Sequence, residues 1–472
     1  MAGACASPPA QDGKQRAPRK VVLDTAEDDA KVGVEGSRQV EAQIGVVRDK
    51  ALQSYLQSLG MKLVRFAPSR PFAYQFEVVD QWSPNAFAFP GGHIFVSRGL
   101  LVLTNSEDEL ACVVGHEITH AAERHAASQQ AYSEQLSPFS LGLPRMTRIA
   151  AYARDQERMA DTGGQRICAA AGYDPRAMST FLQSLDLIQR LQMGSSRIPT
   201  FLDTHPGTSE RIGSAAIVAS TLPSAAPDSS DPQLKREKYL DHFENLMLGA
   251  DPSEGVIQGS RFLHPDLGIV LAFPAGWPIT NTPAAVVAIS PKHDARFALE
   301  DAGPGDDPQA VAEPYLAQRL QEVRAVVQFK GAQATRCCKS YVVRGEVQTP
   351  QGVIAGQLTW VALGGRVYRL SAAYIPISAE KYADRAKLMV RSLRPLTPEE
   401  RASIMVNRLH LARARAGETI AAFSERTGNV YEVHPTAIAN GLSVDAVLAE
   451  GQLLKIGVRG PYAPVAESTA AR

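Results

Sequence analysis

A short run of polar residues inside an apolar, helix-like segment constrains this chain more than any other feature. The segment VVGHEITHAAERH, residues 113–125, carries His116, Glu117 and His120 in the pattern HExxH. Two histidines four residues apart project from one helix face, close enough to share a zinc ion. Glu117 points about 100° away from His116 and can reach a water on that ion rather than the ion itself. The pattern therefore predicts a helix with two zinc ligands and a general base.

A third zinc ligand has to come from another part of the chain. Catalytic zinc sites take three protein ligands and leave the fourth position open. The segment YARDQERMADTGGQR, residues 152–166, is a second helical run that contains Glu157 and, four residues on, Asp161. One of these carboxylates can bind zinc while the other accepts a hydrogen bond from a ligand histidine. The alternative is a surface helix whose His and Glu side chains only meet solvent, and HExxH alone is too short to exclude it.

The bulk composition narrows the class of protein. The chain has 472 residues, which is enough for about two to four domains. Lys+Arg and Asp+Glu both total 49, so the net charge gives no reason to expect nucleic acid or an acidic membrane surface as a partner. No window reaches the ~18 to 20 apolar residues of a membrane-spanning helix. Apart from Cys5, the cysteines are Cys112, Cys168, Cys337 and Cys338, too few to predict a disulfide framework.

The N-terminus carries a possible processing signal. Ala2-Gly3-Ala4 precedes Cys5, and small residues before a cysteine resemble the end of a bacterial lipoprotein signal, although the apolar region that should precede them is missing. We expect a longer natural precursor in which Cys5 becomes the lipidated N-terminal residue. The alternative is that this resemblance is accidental.

The two metal motifs together resemble a known enzyme family. HExxH followed by ExxxD on the next helix is similar to the gluzincin zinc metalloproteases that include the CAAX-prenyl endopeptidases, and in particular to their soluble bacterial periplasmic branch. That branch includes a protease that assists outer-membrane β-barrel assembly. Further hallmarks occur in order along the chain: NAFAFPGGHIFVSRGLL (85–101), SEDELACVVGHEITHAAERH (106–125) and THPGTSERI (204–212). The resemblance covers roughly residues 30–215.

The resemblance implies a role for each residue of the two metal motifs. His116, His120 and Glu157 would be the ligands of one zinc ion per chain. Glu117 would be the general base, and Asp161 would be the carboxylate behind a ligand histidine.

Three more residues are candidates for the active-site cleft. His205 has two functional roles open to it: it could donate to the oxyanion that forms during peptide hydrolysis, or occupy the fourth zinc position and keep the enzyme idle. A structural role in its loop is the third alternative. Arg211 would anchor that loop or bind a substrate carbonyl, and Asn85 begins a segment against which an extended peptide could lie as an added strand. His125, five residues past His120, falls on a different helix face and is predicted to be structural.

The rest of the chain shows two further resemblances. Residues 261–398 are rich in predicted strands and faintly resemble PsbP-like modules. The tail, with AGETIAAFSERTG, AIANGL and LAEGQLLKIG, resembles a lysin-motif (LysM) module, a family that binds N-acetylglucosamine polymers such as peptidoglycan. This copy is degenerate, so both sugar binding and a packing role stay open.

The predicted fold class combines three architectures. We expect a mostly α zincin-type metalloprotease domain with a small β-sheet, a second α+β domain, and a small βααβ C-terminal module. The predicted segments are a disordered N-terminus (1–30), the metalloprotease domain (31–219), a linker with a short helix (220–260), the α+β domain (261–398), the LysM-like module (399–460) and a tail (461–472).

These features favour a zinc-dependent endopeptidase of the bacterial envelope. The expected substrates are unfolded or misassembled envelope proteins, and the expected location is the periplasm, with a lipid on Cys5 as the only membrane attachment. Outer-membrane assembly machinery and peptidoglycan are further candidate partners. A peptidoglycan-associated scaffold and a cell-wall peptidase are the alternative functions, but a scaffold would have no need of Glu117.

Overall fold

Helices predominate in the first half of the chain and strands in the second, so the predicted mixture of helices and several sheets is confirmed. The computed structural model describes residues 25–128, 143–192, 205, 208–223, 231–282, 284–335, 337–349 and 352–463. The elements of the first half are α1 (Ala26–Gln43), α2 (Lys50–Val64), β1 (Gln75–Val79), β2 (Ala86–Phe89), β3 (His93–Ser97), α3 (Arg98–Leu103), α4 (Glu107–Ala122), α5 (Leu143–Ala170), α6 (Ala177–Gln192), α7 (Thr208–Thr221) and α8 (Pro232–Asp241).

Helix α4 carries the HExxH motif and is largely buried. Ser106 caps it by accepting a hydrogen bond from the backbone N–H of Glu109, and acidic residues in the first turn offset the positive end of the helix dipole. Between Glu109 and Ala122, every residue except His120 is buried. Packing on all sides, rather than one amphipathic face, therefore stabilises this helix.

Helix α5 crosses α4 at a contact between glycines. A Cβ atom on Gly164 would lie 2.6 Å from the backbone nitrogen of His116 and 3.0 Å from the carbonyl oxygen of Cys112. A Cβ atom on Gly115 would lie 2.9 Å from the carbonyl oxygen of Gly164. The absence of side chains at these positions lets the two backbones touch, which brings the ExxxD motif beside HExxH.

A three-stranded sheet lies between α1 and α4. Its strand order is β1-β3-β2, with β1 parallel and β2 antiparallel to β3. Ile94 and Val96 of β3 face the core that contains α4, whereas Phe95 packs with Val40 of α1 on the other face. Among the described strands, β2 pairs with β3 alone and so forms an edge of this sheet.

The middle of the chain folds around a large antiparallel sheet. Its seven strands follow the order β11-β12-β13-β14-β10-β9-β8, and a second sheet has the order β15-β7-β6-β5. The elements are β4 (Met247–Leu248), β5 (Val256–Gln258), β6 (Arg261–His264), β7 (Ile269–Ala272), β8 (Ile279–Asn281), β9 (Val286–Ile289), β10 (Ala295–Pro304), α9 (Pro308–Glu322), β11 (Arg324–Ala334), β12 (Lys339–Thr349), β13 (Gly352–Leu363), β14 (Arg366–Tyr374), α10 (Ala379–Ser392), β15 (Arg394–Pro395) and α11 (Pro398–Ala402).

The C-terminal module has the predicted order of strand, helix, helix and strand. Its elements are β16 (Met405–Arg413), α12 (Ile420–Thr427), α13 (Val433–Ala439) and β17 (Leu453–Pro461). The short β4 joins as a third strand, in the order β17-β16-β4. This module is therefore completed by a strand from the segment predicted to be a linker.

The C-terminal module packs against the helices of the first half. Leu409, Ile438 and Leu453 lie in the same hydrophobic core as α4. Lys455 of β17 is buried, and its Nζ donates to the carbonyl oxygens of Val102 at 2.7 Å and Thr104 at 2.8 Å, at the end of α3. The module thus shares a core with the N-terminal half, although the two are far apart in sequence.

One predicted boundary differs from the structure. The sequence predicts disorder up to residue 30, but α1 begins at Ala26 because Thr25 and Asp28 form a capping box. The segment predicted as a linker with a short helix, 220–260, contains α8, which begins at Pro232 and is capped by Asp231. Cys5, the predicted lipidation site, lies outside the described residues.

The sequence predicts no disulfide framework, and the structure contains two separate disulfide bonds among the described residues. Cys112 of α4 is bonded to Cys168 of α5, and Cys337 is bonded to its neighbour Cys338 in the loop between β11 and β12. The first pair is separated by 56 residues in sequence. Only the fold brings these two sulfurs together, so their spacing carried no signal. Among the described residues, no helix combines the length and apolar character needed to cross a membrane.

Candidate active site

Four side chains that can bind a metal converge where α4 meets α5. His116 and His120 come from α4, Glu157 comes from α5, and His205 lies shortly before α7; one ligand atom of each lies within 4.8 Å of all the others. The two Nε2 atoms of His116 and His120 are 3.0 Å apart. Nδ1 of His205 lies 3.3 Å from Nε2 of His116 and 2.9 Å from Oε2 of Glu157. The i, i+4 spacing on α4 and the crossing of α5 thus bring the three predicted ligands together.

The ionisation states of this cluster suit metal binding. Burial lowers the pKa of His116 to about 3, so its imidazole is neutral near pH 7. Burial works to raise the pKa of Glu157, but the charge of His205 and the hydrogen bond from His120 outweigh it and hold that pKa well below its usual range. Neutral imidazoles and an ionised carboxylate are the forms that bind a divalent metal.

Asp161 and Arg211 support the ligands from behind. Nδ1 of His116 lies 3.0 Å from Oδ1 of Asp161, as the sequence predicts for a carboxylate behind a ligand histidine. Arg211 donates to both oxygens of Asp161, at 2.7 Å each. Burial works to raise the pKa of Asp161, but the hydrogen bonds from Arg211 and His116 lower it to about 2. Asp161 is therefore ionised and held in one orientation.

The second histidine of the motif is supported by a residue that the sequence analysis assigned to structure. Nδ1 of His125 lies 2.9 Å from Nδ1 of His120, the ring nitrogen that faces away from the cluster. The carbonyl oxygen of His125 accepts a hydrogen bond from Nε2 of Gln156 at 3.1 Å, which fixes the residue against α5. His125 thus contacts Nδ1 of His120 in the same way that Asp161 contacts Nδ1 of His116. Neutral imidazole in this position is consistent with a pKa that burial lowers to about 4.

Glu117 is fully buried beside the four ligands. Among the described residues, neither of its carboxylate oxygens has a hydrogen-bond partner. Oε1 lies 3.6 Å from Nε2 of His205. Burial raises the pKa of Glu117 to about 7, close to the value that suits a general base at neutral pH. A buried carboxylate of this kind is costly unless something polar binds next to it, and the adjoining cavity has room for water.

The donor set fits a zinc ion. Three imidazole nitrogens and a carboxylate oxygen are typical zinc ligands, and oriented second partners stand behind both motif histidines. The unpartnered carboxylate of Glu117 adds the one group that a catalytic site needs and a purely structural zinc site does not. The residues present therefore fit a zinc ion, and Glu117 adds a carboxylate that a catalytic site could use.

A cavity of about 320 Å³ opens onto this cluster. Glu117, His120, Glu157 and His205 line its floor, and residues 87–90, from β2 and the turn after it, line one wall. The edge strand β2 therefore runs beside the metal-binding residues.

Comparisons with known proteins agree with this arrangement. Residues 50–150 and 139–217 match the family model described as Peptidase family M48. Residues 50–217 are therefore similar to this family, and we call them the M48 segment. The M48 segment ends near the end of α7, and it contains every member of the metal-binding cluster.

Several known proteins are similar to part of this chain. The chain is 29% identical over 233 residues to the β-barrel assembly-enhancing protease of Escherichia coli, covering 44% of this chain and 47% of that protein. It is 29% identical over 175 residues to the mitochondrial metalloendopeptidase OMA1 of Schizosaccharomyces pombe, covering 34% and 50%. The chain thus spans about half the length of these relatives. The solution structure of cyanobacterial PsbP from Synechocystis aligns over 30% of this chain and 95% of its own, at 12% identity and a TM-score of 0.26, too low for a shared fold to follow.

The two predicted substrate-binding residues, Asn85 and Arg211, do not line this cavity. Asn85 is buried at the start of β2, where its Nδ2 donates to Gln81 at 3.4 Å, and it does not line the cavity. Arg211 is also buried; besides Asp161, it donates to the carbonyl oxygen of His205 at 3.0 Å and lies 3.0 Å from Glu157. Of the two roles left open for Arg211, the structure supports the anchor of the His205 loop.

Proposed function

We propose that this protein is a zinc-dependent endopeptidase of the bacterial envelope that cleaves unfolded or misassembled envelope proteins. The observation that carries the proposal is the buried, unpartnered carboxylate of Glu117 beside a complete set of zinc ligands. His116, His120 and Glu157 would hold the ion. When bound, zinc would supply Lewis acidity, which lowers the pKa of water and polarises a peptide carbonyl.

Glu117 would move the proton during hydrolysis. Its pKa of about 7 leaves a large ionised fraction at neutral pH, so it can take a proton from the attacking water. The same carboxyl group can then deliver that proton to the leaving amine. No other carboxylate of the cluster is free for this task, because Glu157 contacts the histidines and Asp161 is held by Arg211.

The edge strand β2 supports the proposal of an extended peptide substrate. Among the described strands it pairs on one side only, and residues 87–90 form the cavity wall beside Glu117 and His120. A peptide added antiparallel or parallel to β2 would lie across the metal-binding residues, with main-chain hydrogen bonds supplying affinity whatever its sequence. Folded proteins rarely offer such a segment, so this mode of binding favours unfolded chains.

His205 would combine two tasks at this site. Its Nδ1 lies within reach of the three ligands, where it can fill the fourth coordination position in the resting enzyme. A peptide entering along β2 would displace the loop, and the released imidazole could then donate to the oxyanion of the carbonyl under attack. Arg211, which holds the carbonyl oxygen of His205, would limit how far this loop can move.

The envelope location and the substrate class rest on the relatives. One of them is named a β-barrel assembly-enhancing protease, which supports unfolded or misassembled envelope proteins as substrates here. The βααβ order of the C-terminal module supports peptidoglycan as a second partner, and a cell-wall peptidase as the alternative function.

A paired digest separates these two functions. The purified protein would be incubated with an unfolded, casein-type substrate and, separately, with purified peptidoglycan sacculi, each with and without a metal chelator. We expect chelator-sensitive cleavage of the unfolded protein and no release of peptides from sacculi. Release of stem peptides with an intact protein substrate would instead support the cell-wall peptidase, and the absence of both would overturn a peptidase function.

A further inference from the structure

A disulfide bond joins the two helices that carry the metal ligands. Cys112 lies on α4, one turn before His116, and Cys168 lies on α5, two turns after Asp161. Both sulfur-bearing residues are fully buried, and their Cα atoms are 5.2 Å apart. The bond therefore sits inside the helix–helix contact rather than at the surface.

The disulfide lies on the same helix faces as the ligands. On α5, Asp161, Gly164 and Cys168 follow Glu157 at spacings of four, seven and eleven residues, which is one stripe of a helix. On α4, Cys112 and His116 are four residues apart and share a face in the same way. The glycine contact at Gly164 touches the backbone of both His116 and Cys112. The disulfide and the metal-binding residues thus lie along the same contact between α4 and α5.

From this placement we propose that Cys112 and Cys168 are positioning residues for the metal centre, and that their disulfide fixes α5 against α4 in the geometry that binds the metal. The inference rests on the proposed metallopeptidase function for its ligand set. Formation of the bond removes one hydrogen from each thiol, and the two electrons pass to a disulfide oxidant of the glutathione class, which is reduced to two thiols.

The physical reason is preorganisation. Helix α4 ends at Ala122 and α5 begins at Leu143, so the ligands of the two helices meet through packing and not through the nearby chain. Without a crosslink, part of the metal-binding free energy would be spent on bringing Glu157 to the two histidines. The disulfide holds Glu157 near the two histidines before the metal binds, provided that the surroundings are oxidising enough to keep the bond formed.

The second disulfide provides a matched control. Cys337 and Cys338 form their bond in a loop of the middle sheet, and neither contacts the metal cluster. We would prepare wild type, Cys112→Ala/Cys168→Ala and Cys337→Ala/Cys338→Ala, and measure the zinc dissociation constant of each by competition with a chromogenic chelator. Each protein would be measured oxidised and after treatment with a thiol reductant that is removed before zinc is added, with far-UV circular dichroism as a check of folding.

We expect loss of the first disulfide to weaken zinc binding by about 10- to 100-fold, the range found when groups that orient ligands are removed. Reduction should weaken zinc binding in wild type and in the Cys337→Ala/Cys338→Ala variant, and should have no further effect on Cys112→Ala/Cys168→Ala. Equal zinc affinity in oxidised and reduced wild type would overturn the proposal. That measurement needs no variant, so it decides the question even if the double mutant does not fold.

The readout separates this inference from the proposed function. Zinc affinity is measured without turnover, so a redox-dependent affinity in a protein that cleaves no casein supports the crosslink and contradicts the peptidase. If the protein cleaves casein but binds zinc equally well in its oxidised and reduced forms, the peptidase function is supported and the role of the crosslink is contradicted.

Discussion

Replacing Gly164 by alanine should damage the metal centre although no ligand side chain is changed. Gly164 sits where α5 crosses α4, and a Cβ atom there would lie 2.6 Å from the backbone nitrogen of His116 and 2.9 Å from its Cα atom. Both are main-chain atoms of the HExxH helix, so no side chain can rotate away to make room. The two helices would have to move apart.

The size of the effect follows from that distance and from a matched position. Ordinary contacts of a Cβ atom begin at 3.4 Å, so the helices must separate by 3.4 minus 2.6, or about 0.8 Å. Overpacking of this kind costs about 1–3 kcal/mol. Alanine gains about 1 kcal/mol over glycine in a helix. Gly213 of α7 is a helical glycine with nothing within 4 Å of an added Cβ, so Gly213→Ala keeps this gain without the clash.

The two glycine variants would be compared by urea unfolding and by zinc titration. Because the helix-propensity gain is common to both, the difference in unfolding free energy reports the clash, and we expect Gly164→Ala to be less stable than Gly213→Ala by about 1–3 kcal/mol. Only Gly164→Ala should weaken zinc binding, since it moves Glu157 away from His116. Equal stability and equal zinc affinity in the two variants would refute a tight crossing of α4 and α5.

Three further changes test other parts of the account. His205→Ala should lower the cleavage rate of an unfolded substrate by about 10²-fold if the imidazole donates to the oxyanion; a raised basal rate would show that it mainly guards the metal, and an unchanged rate would leave it a structural role. His125→Ala should weaken zinc binding by about 10- to 100-fold because it no longer orients His120, and a chelator competition that gives wild-type affinity would contradict this. Lys455→Met should lower the free energy of unfolding by about 1–3 kcal/mol, because two buried carbonyl oxygens lose their donor. The control is Lys238→Met, at an exposed lysine. Equal urea unfolding curves for the two variants would show that the Lys455 contact does not stabilise the protein.

The two histidine ligands could be predicted from local helix geometry, whereas the choice of Glu157 over Asp161 as the third ligand came from the resemblance to a known family. HExxH and ExxxD place their residues by the helical repeat, and the structure brings His116, His120 and Glu157 together as expected. The error over His125 came from extending the same rule too far. Helix α4 ends at Ala122, and Arg124 adopts a positive φ of 51°, so the chain turns back and brings His125 to the ring of His120.

Other features depend on contacts between distant segments and could not be settled from the sequence. Arg211 was predicted to anchor a loop or bind a substrate carbonyl, and only the position of Asp161 and His205 in space shows the anchor. The Cys112–Cys168 bond likewise depends on how two helices cross. The shared core of the C-terminal module and the N-terminal half could not be foreseen either, because composition suggests separate units and says nothing about how they dock.

The most direct test of the central claim is the substitution Glu117→Gln. Glutamine keeps the size of the side chain but cannot take a proton from water, and Glu117 is predicted not to bind the metal. Zinc would be counted by elemental analysis of protein purified without added metal, and proteolysis would be followed on an unfolded casein-type substrate. The account predicts about one zinc per chain in both proteins and proteolysis in wild type alone. Retained proteolysis in Glu117→Gln would contradict the proposed mechanism.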